Sequence, residues 1–95
     1  MNIYAIRKAI LRALKEYSGA PITCEELIAL CPSAEIRLAE KNHVRVQWAE
    51  LKNFQYIQPI QGFGGEYCQI SQKGLEQLST EFPQDFFIHG PGAIR

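Results

Sequence analysis

Ninety-five residues suffice for one small core and not for two. Hydrophobic residues make up 46% of the chain, an ordinary share for a globular protein that argues against disorder. Ten basic and ten acidic side chains cancel, so net charge supplies no general attraction to nucleic acid.

The spacing predicts a first helix over about residues 3 to 18. Ile3, Ile6, Ile10, Leu14 and Tyr17 recur at helical intervals and form its buried stripe. Asn2 can cap its start, Gly19 sits where a left-handed stop belongs, and Pro21 prevents resumption. Lys8, Arg12 and Lys15 fall on the outward face, which by itself is what a solvated face looks like. The charge is nonetheless segregated. Residues 1 to 20 carry Arg7, Lys8, Arg12 and Lys15 against Glu16, whereas residues 21 to 40 carry Glu25, Glu26, Glu35 and Glu40 against Arg37. A basic helix beside an acidic one can orient a domain on a polyanion or on a charged protein.

Residues 20 to 22 are long enough only for a very short strand. Thr23-Cys24-Glu25-Glu26 then reads as a capping box, with Ile22 and Leu27 at the positions of a hydrophobic staple. Leu27, Leu30 and Cys31 supply the expected buried side of this second helix, and Pro32 ends it. Ser33 can cap a short helix that turns Ile36 and Ala39 inward. The apolar phase breaks near residue 42, where Asn42 can cap a new helix.

That main helix is the centre of the chain. Val44, Trp48 and Leu51 form one inward stripe flanked by Phe54, and Tyr56-Ile57-Gln58 follows as a strand without an intervening loop. Strands are expected near 56 to 60 and 66 to 71, around Gly62-Phe63-Gly64-Gly65, whose glycines supply the positive φ angles of such a turn. Pro59 cannot donate to a ladder and belongs on an edge. Ser71 caps a last helix with Leu75, Leu78 and Phe82 inward and Pro83 at its end. Residues 1–83 are thus one domain and 84–95 a tail, in which Phe86, Phe87 and Ile88 either return to the core or meet a partner such as a second copy.

The three cysteines include no C-x-x-C pair, and buried thiols acting as small hydrophobes are the expectation for Cys24, Cys31 and Cys68. No metal or cofactor is implied. His43 and His89 stand without a nearby nucleophile pattern and no phosphate-binding glycine loop precedes a helix, so the chain does not read as an enzyme. No apolar run approaches the roughly 20 residues that span a bilayer, and the N-terminus lacks a signal-peptide pattern. A cytoplasmic protein without membrane contact is expected.

A helix running into a strand, a Gly-rich turn, a return strand and a closing helix opened by Ser71-Gln72-Lys73-Gly74 resembles the winged helix-turn-helix domain of small bacterial regulators. The resemblance covers about residues 3 to 82. It implies an α+β, mainly α fold, with a three-helix core, a C-terminal helix and a β-hairpin wing. It also implies sequence-specific or architectural binding of double-stranded DNA by a transcriptional regulator, with the main helix in the major groove. On that helix Lys41, Asn42, His43, Arg45, Val46, Ala49 and Lys52 become the candidate DNA-binding residues. Arg45 would read guanine or grip phosphate, Asn42 would pair with adenine, and Val46 would touch a thymine methyl. Lys8, Arg12, Lys15 and Phe63 are candidate backbone contacts. A single copy offers few cations, so a homodimer or a larger assembly fits tight binding better. The alternative is a winged helix used to bind protein, through Val46, Ala49, Phe63 or the Phe86-Phe87 tail. Neutral net charge and the absence of Lys and Arg from 62 to 72 favour it.

Overall fold

The computed structural model describes residues 3–17, 20–60 and 67–79. Five helices and one two-stranded antiparallel sheet make an α+β, mainly α architecture: α1 (Ile3–Glu16), α2 (Cys24–Leu30), α3 (Ala34–Leu38), α4 (Lys41–Asn53), β1 (Ile57–Pro59), β2 (Cys68–Ile70) and α5 (Gln72–Leu78). No helix among the described residues is long and apolar enough to cross a membrane. Asn2, Gly19, Phe63, Phe82, Pro83 and the tail with Phe86, Phe87 and Ile88 lie outside the described residues.

α1 is the hub. Ile6, Ile10 and Leu14 of the expected stripe are buried, Ile3 and Tyr17 only partly so, and Arg7, Ala9, Leu11 and Ala13 join the buried set. The arc is wider than one stripe because α3, α4, α5 and β2 all pack on this helix. Removing each large aliphatic side chain from water contributes about 1.5–3 kcal/mol.

The start of α2 is the capping box expected from sequence. The Glu26 amide donates to Thr23 Oγ1 at 3.0 Å and the Thr23 amide donates to Glu26 Oε1 at 2.9 Å. Ile22 and Leu27 are both buried. Ile22 also forms an isolated antiparallel bridge with Cys68, each amide donating to the other's carbonyl. The far end of α2 departs from expectation. Leu30 is 50% exposed and Cys31 is exposed, and Cys31 closes the helix in the left-handed conformation at φ 46°. Only Leu27 of this seven-residue helix is buried. The left-handed residue redirects the chain before Leu30 and Cys31 can be covered. Of the thiols expected in the core, Cys68 is fully buried, Cys24 is half-buried against it and Cys31 is outside.

Ser33 caps α3, and Ile36 and Ala39 point inward as expected. The cap of α4 differs: Glu40 takes the N-cap position and Asn42 lies inside the first turn. Inside the helix the Asn42 side chain turns to Arg45 rather than to a backbone amide. Val44, Trp48 and Leu51 are buried, together with Gln47, while Phe54 stays 48% exposed on the flank.

α4 does not run straight into β1. Residues 54 to 56 form a turn in which the Gln55 amide donates to the Lys52 carbonyl and the Tyr56 amide to the Leu51 carbonyl. Gln55 itself is left-handed at φ 68°. These are the paired bonds of a Schellman stop, usually built on glycine, and the buried Leu51 and Tyr56 supply its apolar contact. Period alone hid it, because no glycine marks the position.

The opening of α5 locks onto this turn. Ser71 Oγ donates to the Gln55 carbonyl at 2.6 Å and accepts from the Gly74 amide, while Lys73 Nζ donates to the Phe54 carbonyl at 2.8 Å. A Cβ on Gly74 would overlap the Tyr56 carbonyl, so the glycine is required by close approach. In the sheet, Ile57, Gln58 and Pro59 pair with Ile70, Gln69 and Cys68. β2 takes the Ile22 bridge as well, so β1 is the edge and exposed Pro59 sits on it.

Candidate functional site

The candidate residues must be judged from the two faces of α4. Its inner face is anchored to α1. Trp48 is 5% exposed, and Arg7 donates from Nε to Gln47 Oε1 at 2.6 Å with its guanidinium 5.9 Å from the Phe54 ring centroid. A buried cation needs such partners, because desolvating a charge costs far more than desolvating an amide. Sequence spacing gave no hint of either buried polar residue.

The outer face follows from that anchoring. At about 100° per residue, Asn42, Val46, Ala49 and Asn53 lie opposite the buried stripe, and all four are exposed. Lys41 and Arg45 are exposed on one flank, with Lys52 half-buried two turns further along. His43 and Glu50 are half-buried on the other. The crest is therefore a real, outward-facing surface.

Arg45 is not free on it. Its Nε and Nη2 donate to the two carboxylate oxygens of Glu25 at 2.7 and 3.0 Å, and its Nη1 donates to Asn42 Oδ1 at 2.7 Å. The hydrogen bond from Arg45 holds the Glu25 carboxyl below the usual carboxylate range, and the same bond raises the Arg45 guanidinium further. The acidic start of α2 and the basic flank of α4 thus meet, whereas the charge segregation of the sequence set residues 1 to 20 against 21 to 40.

The α1 cations stand elsewhere. Arg7 meets α4 at Gln47, and Lys8 and Arg12 lie about 100° and 140° round the helix from it. They line a groove of about 420 Å³ between α1 and the α2–α3 connection, facing Pro32, Ser33 and Glu35. Lys15 lies beside Leu78 of α5. Lys8 and Arg12 thus border the α2–α3 side of α1, and Lys15 borders α5.

One cation was missed. Lys73 lies 4.7 Å from the Tyr56 ring centroid, and with Lys52 it borders a shallow hollow that includes Gln55, Gln58 and Gln72. The signal was the Ser71-to-Gly74 cap, which forces residue 73 back onto the end of α4.

Cys24 and Cys68 are held in the thiol form. Burial pushes Cys24 up to about 11, with Glu25 adding to the effect, and burial also raises Cys68. Among the described residues no group of His, Cys, Asp and Glu could hold a metal ion. No family model, no curated protein and no solved structure matches the chain.

Proposed function

We propose that residues 3–79 form a winged-helix module that binds duplex DNA through the outer crest of α4, in a small cytoplasmic transcriptional regulator. The observation that carries this is the crest itself: Asn42, Val46, Ala49 and Asn53 exposed along a helix whose opposite face is fixed in the core. Eleven residues of rise make that crest about 16 Å long, and a helix about 10–12 Å across with its side chains fits a major groove about 12 Å wide. The order of elements supports the fold assignment. A bridge residue, Ile22, and β1 flank β2 on its two sides, with α2, α3 and α4 between them in the chain. Lys41, Arg45 and Lys52 are the cations that border the crest.

Three cations per copy mean weak binding by a monomer, so a homodimer on paired half-sites is the form that would act. The test is titration of the full chain onto mixed-sequence duplex DNA at several salt concentrations. Binding at low salt that weakens with a log–log slope of about −2 to −3 per copy supports the proposal. No binding at low salt removes it. A protein-binding role for the same crest is the second reading, favoured by Val46 at 54% exposure and by the Glu25 carboxylate that neutralises Arg45.

A further inference from the structure

Arginine has only donors, so the Asn42 atom that faces Arg45 must be the amide oxygen. The Asn42 NH₂ group is then turned away from Arg45. An asparagine that pairs with adenine has to give and accept at once, from Nδ2 and Oδ1 to N7 and N6. Oδ1 has two lone pairs, so the bond from Arg45 leaves Asn42 one acceptor site beside its two donors, and discrimination against adenine rests on Arg45. Arg45 is fixed by the same geometry. Of its five N–H groups, Glu25 takes one on Nε and one on Nη2, and Asn42 takes one on Nη1. One N–H remains on each terminal nitrogen, and guanine presents two acceptors, O6 and N7, to an arginine.

We propose that Glu25 is a positioning residue for recognition, and that it holds Arg45, a side chain with donors alone, in an orientation that selects guanine over adenine. The proposal rests on the DNA-binding reading above and deepens it. Three charge-assisted bonds hold a planar group that is otherwise free to sample many rotamers. Because Glu25 neutralises much of the Arg45 charge, the pair is better suited to a base edge than to phosphate. Glu25 lies on α2, so the orientation of a reading side chain on α4 is set by a neighbouring helix. Removing Glu25 frees Arg45 to reach the backbone and frees Asn42 to rotate. Base discrimination should fall while attraction to phosphate rises.

The experiment selects binders from a randomised duplex library with the full chain, in wild-type, Glu25→Ala and Arg45→Ala forms, and then measures salt dependence on the enriched duplex. The wild type should enrich guanine at one position of the site. Glu25→Ala should reduce the guanine-over-adenine ratio there roughly tenfold and steepen the salt slope by about one unit, with an unchanged melting temperature. A merely structural role for Glu25 would weaken all sequences equally and leave the ratio alone. Equal guanine preference in wild type and Glu25→Ala, or enrichment of adenine at the position that Arg45→Ala abolishes, overturns the proposal. Absence of any bound duplex overturns the DNA reading, and the guanine preference with it. In that case NMR of the free protein decides the positioning itself: a slowly exchanging Arg45 Nε–H that Glu25→Ala releases upholds it, and a fast one in the wild type rejects it.

Discussion

α4 is gripped by an arginine on each of two sides, and the grips differ in kind. On the core side Arg7, 8% exposed, reaches from α1 to the buried amide of Gln47 and lies over Phe54. On the α2 side Arg45 sits in water, forked onto Glu25 and tied to Asn42. A buried cation cannot exchange its partners for solvent, so the first grip is structural and costly to break. An exposed ion pair contributes little to stability because water and salt compete for both groups. The second grip orients a side chain and can be traded for a ligand. One helix is thus fastened behind and poised in front.

The largest expected effect lies behind. Trp48→Ala should destabilise by about 3–5 kcal/mol through lost burial and the cavity left behind, enough to unfold most of a small domain. An indole emission typical of open water in the wild type would show that the inner face is assigned wrongly. Gln47→Leu comes next, because it keeps the volume but strips the Arg7 guanidinium of a buried acceptor. The loss should be about 1–3 kcal/mol in urea denaturation. An unchanged midpoint would mean that Arg7 is held by something other than this bond.

Both faces of α4 were legible in the chain, and the bonds that tie each face to another helix were not. Val44, Trp48 and Leu51 announce a buried stripe because helical period needs only the sequence. Thr23 and Ser71 announce helix starts because a cap is a local bond between neighbours. Arg7 and Gln47 carry no such mark: forty residues separate them, and only packing makes them partners. Glu25 and Arg45 are twenty apart and equally silent. Lys8, Arg12 and Lys15 are silent in a related way. A period says which side of α1 is outward, yet it cannot say where that side points relative to α4.

Smaller effects belong to the α2 side. Thr23→Ala should cost about 1 kcal/mol by removing the capping box. Equal stability of wild type and mutant in urea would show that the box is not formed in solution. Cys24, beside Glu25, adds a dependence on pH. Its thiol is raised from about 9 to about 11 in the fold, so the folded state holds this proton more tightly than the unfolded chain. Its contribution is complete below pH 9 and is lost as pH rises toward about 11. The effect is modest because the residue is half-buried. Cys24→Ala should flatten the alkaline limb of the stability curve relative to wild type. Two superimposable curves would mean that Cys24 is as wet in the fold as in the unfolded chain.

The front of α4 is tested most directly by comparing Arg45→Ala with wild type in titrations onto duplex DNA at several salt concentrations. Arg45→Ala should weaken binding, lose preference at one base position and melt at the wild-type temperature. Undiminished DNA affinity in Arg45→Ala, together with loss of a protein contact in Val46→Glu, would contradict the account and make the crest a protein-binding surface.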